Sequence, residues 1–528
     1  MHVASYSLDR LNSDVWITLN QYLSVEDVAN LARTGHWWHR RRLFETIQHL
    51  RYFRQPIPTT FLAVLNLSIL SHLDLSRDCV INEVVYEHWL LYMLGMPLET
   101  LILPTDRRNQ SIIHVDIAKL PTTLIRLDLG ITFPSNVNGN AWQWHEVLPN
   151  LQALRWPRGR GILDNHFANL KLLNMLHTLD VHGWELTGVF INSLPESLTT
   201  LSLEHSYRTI EAFCATLPRS LRHLSCPFRH IEHDVAMLPQ GLLTLHYSID
   251  SAVLYTAPDE WFASLPPMLT SLAQKDSPQH GLGRRLQTSR YWYKHLPAKL
   301  TSLGPITQIT GKHPWCALTY FPSTLTDMYW DSEYVDMHNH YPPGLFTRLR
   351  GLKTLRSSSS SISKELIADL YTLTPHLTRL DVGSLYTLRE NMNWSSQIQW
   401  PPQLTSLGIL SHNHGQCLPS SVTKLKLYIP NECVSLSSTA IPVSVTRLHL
   451  YGGFCRLNVD VSSFSHVKYL TIHDINALCE DDFKLLPPLL NSLSIHLSPV
   501  GETLEPERHM LFCHLPNLES LQITIKRI

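Results

Sequence analysis

Apolar residues recur along most of this chain in one fixed phrase. From about residue 65 to the end the phrase is Leu-Pro-x-x-Leu-x-x-Leu-x-(Leu/Ile/Val). Clear copies begin at Leu120 (LPTTLIRLDL), Leu194 (LPESLTTLSL), Leu217 (LPRSLRHLSC), Leu418 (LPSSVTKLKL) and Ile441 (IPVSVTRLHL), with degraded copies between them. The first apolar residue after the proline marks the phase: Leu124, Leu198, Leu221, Leu242, Leu269, Leu300, Leu325, Leu404 and Val445. In the final x-Leu-x-Leu the apolar and polar positions alternate, which predicts a short strand of period two. In TTLSLE, Leu201 and Leu203 then face inward, and Thr200, Ser202 and Glu204 face outward. Between strands lie IEAFCATLP, EWFASLP, SKELIADLYTL and CEDDFKLLP, whose apolar spacing predicts amphipathic helices. The proline ends each helix, because it lacks an N–H and disfavours helix at the residue before it. Each repeat therefore reads as helix, turn and strand. A single repeat cannot bury its own apolar face, so successive repeats are expected to stack into a solenoid.

These phrases resemble leucine-rich repeats, in particular the irregular Leu-Pro-x-Ser-Leu-Thr subtype of FNIP-type repeat proteins. The resemblance implies an α/β solenoid over residues 51–528, with short parallel strands on a concave face and helices or irregular segments on a convex one. One departure is visible. The asparagine that usually follows the strand in such repeats is mostly missing, and Gly130, His205 and Tyr451 stand near its place. The serine run 357–361 reads as a polar turn.

Residues 5–50 lack the phrase. Val15, Leu19, Tyr22 and Leu23 share one helical face. Ser24 suits an N-cap, with Asp27 three residues later, and Val28, Leu31 and Ala32 form the next apolar stripe. Gly35 breaks the pattern before a third helix that carries Trp37, Trp38 and a basic run. This segment resembles an F-box: Leu11, Val15, Ile17, Leu19, Tyr22-Leu23-Ser24, Asp27-Val28, Leu31 and Trp38 followed by Arg40 lie on that family's pattern without a gap. Asn12 stands where the family has proline, and Thr34-Gly35 where Val-Cys is common. An F-box before leucine-rich repeats resembles the substrate receptors of SCF-type cullin–RING ubiquitin ligases. The resemblance implies docking of a Skp-type adaptor by Leu11, Asn12, Val15, Leu19, Leu23, Val28, Leu31 and Trp38, and capture of a protein substrate by the repeats. The alternative is a plain repeat scaffold whose N-terminal helices only cap the solenoid.

Composition narrows the class. Of 528 residues, 44% are hydrophobic and only 16% charged, against roughly a quarter in ordinary domains. The net charge of -1 supplies no global field to recruit nucleic acid or anionic membrane. The start has no basic segment followed by an apolar core, and the most apolar stretch, 89–103, contains Pro97 and Glu99. A cytoplasmic or nuclear protein is the expectation. The 9 cysteines contain no CxxC pair and read as small buried hydrophobes rather than bridges.

The chain holds no GxSxG elbow, P-loop, HExxH or strand-flanked GxGxxG, so no catalytic residue, cofactor or metal site is expected. His412, His414 and Cys417 are metal-ligand types but lack a fourth ligand nearby, and a polar turn explains them. The candidate substrate surface is read from strand parity instead. Lys424, Lys426, Tyr428, Arg447, His449, Tyr451 and Tyr469 face outward side by side, a mixture of cations and aromatics that suits a protein ligand, including an acidic or phosphorylated one. Arg126, Asp128, Arg155, Asp180 and His182 form a second, mixed-sign set.

Overall fold

The computed structural model describes residues 49–51, 71–74, 97–103, 114–130, 133–134, 142–156, 164–181, 186, 188–203, 216–228, 235–249, 256–257, 259–274, 286–288, 292–304, 307–308, 320–330, 344–357, 364–382, 399–410, 418–428, 441–454, 464–475, 486–487, 489–497, 517–518 and 520–525. The F-box-like segment up to residue 48, with its candidate adaptor residues, lies outside the described residues, as do His205, His412, His414 and Cys417. The chain divides into two compact units, the first mostly residues 1–253 and the second mostly 285–528 with 254–263 and 270–274.

In the first unit the strands are β1 (His49–Arg51), β2 (His72–Asp74), β3 (Thr100–Ile102), β4 (His114–Val115), β5 (Arg126–Asp128), β6 (Phe133–Pro134), β7 (Ala153–Trp156), β8 (Thr178–Val181), β9 (Thr200–Ser202), β10 (His223–Phe228) and β11 (Thr244–Ile249). Among the described residues β4 and β6 pair only with each other, and the rest follow one another in parallel, each beside the strand of the next repeat. Their register aligns Leu50, Leu73, Leu101, Leu127, Leu154, Leu179, Leu201, Leu224 and Leu245 in a single row. From Leu73 to Leu245 every member of that row is fully buried or nearly so.

In the second unit the strands are β12 (Thr256–Ala257), β13 (Ser271–Gln274), β14 (Leu286–Thr288), β15 (Ser302–Leu303), β16 (Thr307–Gln308), β17 (Asp327–Trp330), β18 (Thr354–Ser357), β19 (Arg379–Val382), β20 (Ser406–Leu410), β21 (Lys424–Tyr428), β22 (Arg447–Phe454), β23 (Tyr469–Ile475), β24 (Ser492–Leu497) and β25 (Ser520–Ile525). β12, β14 and β16 make a small sheet of their own. The others pair in parallel in chain order, and from β20 onward two buried rows run side by side: Leu407, Leu425, Leu448, Leu470 and Leu493, then Ile409, Leu427, Leu450, Ile472 and Ile495. Each such side chain contributes about 1.5–3 kcal/mol by leaving water. Repeats paired in sequence order, with one face of every strand buried, make each unit a leucine-rich-repeat solenoid.

The repeated phrase is explained residue by residue. The proline carbonyl accepts the N–H of the leucine three positions on, as in Pro195–Leu198, Pro218–Leu221, Pro401–Leu404 and Pro442–Val445, at 3.0–3.1 Å. That tight turn drops the phase-marking residue into the core, and all nine phase markers are fully buried. The serine of Leu-Pro-x-Ser reaches back to the preceding repeat. Ser220, Ser421 and Ser444 donate to the carbonyls of Leu198, Leu404 and Val422 at 2.6–2.8 Å. The threonine after the leucine does the same: Thr378, Thr405 and Thr423 donate to the carbonyls of Lys353, Thr378 and Thr405. A chain of hydroxyl donors thus links each of these repeats to the one before it. Tyr451, near the expected asparagine position, is instead a strand residue, because β22 continues to Phe454.

Not every repeat contains the helix that the helix–turn–strand reading expects. EWFASLP lies within the short helix Asp259–Ala263 and its flank, with Trp261 and Phe262 buried, and SKELIADLYTL forms the helix Lys364–Leu373. Most other described connectors are short 3-10 turns such as Val235–Met237 and Leu345–Arg348. The proline turn leaves few residues between one strand and the next, and a 3-10 turn suits a short piece. IEAFCATLP and CEDDFKLLP lie mostly outside the described residues; of the serine run, Ser357 ends β18 and the remainder is likewise outside. No helix among the described residues is long and apolar enough to cross a membrane.

Candidate functional site

Strand parity places the predicted surface residues as expected. In β21, Leu425 and Leu427 are buried while Lys424, Lys426 and Tyr428 lie on the other face. Parallel pairing then arranges that face into three rows crossing the strands. The first row is Arg379, Ser406, Lys424, Arg447 and Tyr469. The second is Asp381, Gly408, Lys426, His449, Thr471 and Ser494. The third is Tyr428, Tyr451, His473 and His496. All seven residues singled out in the sequence therefore share one continuous surface. Arg379, Asp381, His473 and His496 join them, and their parity in Arg379-Leu380-Asp381 and Ile472-His473 was the signal that could have found them.

The third row is a stack of rings. Tyr428 and Tyr451 lie 4.9 Å apart and Tyr451 and His473 4.1 Å apart, and His473 and His496 are 4.3 Å apart at an interplanar angle of 3°. Because each ring covers its neighbour's face, the row shows solvent mainly ring edges, which carry the positive end of the ring quadrupole. Arg447 lies over the Tyr469 ring at 4.9 Å from its centroid, and Lys426 is 5.9 Å from that of Tyr451.

Charge on this face is unbalanced. Asp381 is buried, and it accepts from Lys426 Nζ at 2.5 Å and from the Tyr428 hydroxyl at 3.1 Å. Arg379 Nη2 adds a looser pair at 3.6 Å. Lys426 reaches Asp381 across β20, where Gly408 stands. A Cβ at Gly408 would collide with Asp381 Oδ1 and lie 2.9 Å from its Cγ. Burial pushes the Tyr428 hydroxyl pKa up, and the Asp381 charge adds to the shift. Lys424 has no ion pair among the described residues. Its pKa is pushed down by burial and then by Lys426, Arg379 and Arg447, whose like charge outweighs Asp381. Burial, followed by Lys424, Lys426, His473 and Arg447, holds the His449 imidazole down to about 4, so it is neutral at pH 7.

The second candidate set is closed on itself. Arg155 donates from Nη1 to Asp128 Oδ2 at 3.1 Å and from Nε to Asp180 Oδ2 at 2.9 Å, joining three successive strands. Burial pushes the Asp128 carboxyl up despite the Gly130 N–H and Arg155. Arg126 stays exposed one row away, and His182 lies outside the described residues. Among the described residues no group of three or more metal-ligating side chains comes together.

No protein-family model and no curated protein matches this chain. Solved structures to which it is similar include the TLR13–ssRNA13 complex, at 14% identity over 90% of this chain and 81% of that one, with a TM-score of 0.43. They also include CroV588, a circular leucine-rich-repeat protein, at 15% identity over 91% and 83%, with a TM-score of 0.29.

Proposed function

We propose that this chain is a non-catalytic recognition protein of the cytoplasm or nucleus, the substrate-recognition subunit of an SCF-type cullin–RING ubiquitin ligase. A protein substrate lies against the outward face of β19–β24. The Skp-type adaptor docks on residues 5–50 through Leu11, Asn12, Val15, Leu19, Leu23, Val28, Leu31 and Trp38. The observation that carries the substrate half is the excess of cations, flanked by aromatics, on one face of parallel strands. Aromatic and arginine side chains side by side supply most of the affinity at protein interfaces. The adaptor half is supported by the ungapped N-terminal pattern alone. Such a protein performs no bond chemistry; it raises the local concentration of its substrate near a conjugating enzyme.

The experiment is co-purification of the full chain with a Skp-type adaptor, beside Val15→Asp and Leu31→Asp. Retention of adaptor by the unaltered chain, lost in both variants, is the expected result. No retention by the unaltered chain would overturn the ligase role and leave a repeat scaffold with helical caps.

A further inference from the structure

The three rows on the second unit differ in chemistry, and their order specifies a ligand. The first row carries Arg379, Lys424 and Arg447; the third carries stacked ring edges; the second, between them, is small, neutral or already paired. In that middle row Gly408 has no side chain, Lys426 is held by Asp381, Thr471 offers a hydroxyl, and the Ser494 hydroxyl lies 3.4 Å from His496 Nε2. Rows one and three are separated along each strand by four residues' span at most, and the first and second rows by two residues, ~7 Å, while neighbouring strands are ~4.8 Å apart.

We propose that this face binds an extended protein segment that crosses the strands along the middle row, with alternate side chains acidic toward Arg379, Lys424 and Arg447 and apolar toward Tyr428, Tyr451, His473 and His496. The inference rests on the reading of this face as the recognition surface and adds the pattern of what it recognises. An extended chain sends successive side chains to opposite sides. Lying across the strands with its backbone over the middle row, it sends one set to the cations and the other to the rings. Side chains on the same side recur every ~6.8 Å, so two or three carboxylates span the ~14 Å from Arg379 to Arg447. The Lys424 ammonium is surrounded by like charge and has no ion partner among the described residues, and a ligand carboxylate would supply one. His449, neutral at pH 7, adds no repulsion or attraction under the peptide backbone. Single-stranded RNA meets the charge but not the rings. Base stacking needs exposed ring faces, and the two central rings, Tyr451 and His473, are each covered by a ring on both sides.

The test uses the full chain and fluorescent probes in an anisotropy titration. The probes are an octapeptide of alternating glutamate and leucine, a block octapeptide of equal charge in which four glutamates precede four leucines, and polyuridine of eight nucleotides. Binding of the alternating peptide at least about tenfold tighter than the block peptide or the RNA is expected, since two properly placed contacts outweigh net charge alone. Tyr451→Ala should narrow the preference for alternation, and an unchanged circular dichroism spectrum would show that the variant folds. Equal binding of the two peptides would overturn the alternating pattern while leaving a charged recognition face. Tightest binding of the RNA, or no binding of either peptide, would overturn the proposal itself.

Discussion

Lys426 Nζ lies 2.5 Å from Asp381 Oδ2, two strands away, across the gap left by Gly408. The pair is mostly shielded from water, with side-chain exposures of 15% and 11%. Its members therefore depend on each other more than surface ion pairs do. Asp381→Asn keeps the shape but leaves Lys426 without its counter-ion. Chemical denaturation should report a loss of about 1–3 kcal/mol. Affinity for an acidic peptide should rise severalfold, because a cation is released on the ligand face. Parallel loss of both stability and affinity would show that Asp381 holds the face together rather than quenching it.

Gly408→Ala tests the gap itself. The added Cβ meets a buried carboxylate that is already fixed by two donors, so neighbouring side chains must shift. A destabilisation of about 1–3 kcal/mol is expected, read as a lowered denaturation midpoint. An unchanged midpoint would mean that Asp381 moves aside freely.

Lys424→Gln separates binding from folding. The lysine sits among Lys426, Arg379 and Arg447 and has no ion partner among the described residues. Removing its charge relieves repulsion, and stability should stay the same or rise by a few tenths of a kcal/mol, while acidic-peptide affinity falls. A clear loss of stability would make Lys424 a structural residue.

The depressed His449 imidazole links pH to stability. Its folded pKa, about 4, lies below the ordinary value of about 6.5, so the folded state favours the neutral ring. The contribution is fully present above about pH 6.5 and is lost as pH falls from there towards about 4. Denaturation midpoints measured across that window should fall less steeply for His449→Gln than for the unaltered chain. Identical slopes would refute the shift.

Much of this was legible in the residues. The phase markers are buried because a proline turn followed by a period-two strand leaves them no other side to face. The outward set from Lys424 to Tyr469 follows from the same parity. Other features depend on which repeat lies beside which and by how many residues they differ. Asp381 and Lys426 are 45 positions apart and meet only because β20 lies between them with a glycine at that register. The Ser and Thr hydroxyl bonds were hidden for a related reason: Ser421 donates to Leu404 in the previous repeat, and no local rule points a turn serine backwards. The amphipathic connectors that fall within the described residues form helices, Asp259–Ala263 and Lys364–Leu373, whereas connectors without that spacing, such as Val235–Met237, form 3-10 turns.

Ser421→Ala gives those hydroxyls a value. The lost bond is short, 2.6 Å, and partly buried, so about 1 kcal/mol is expected, measured by denaturation. No change would imply that the repeats are held by backbone pairing and leucine burial alone.

The central claim is that recognition occurs on the cation-bearing face of the second unit. The most direct measurement is the affinity of the alternating glutamate–leucine octapeptide for the full chain, for Lys424→Glu/Arg447→Glu, and for Arg126→Glu, which reverses an exposed cation in the first unit. A loss of at least about tenfold in the double variant, with Arg126→Glu unchanged, is the predicted result. Equal affinities in all three proteins, or a loss confined to Arg126→Glu, would contradict it.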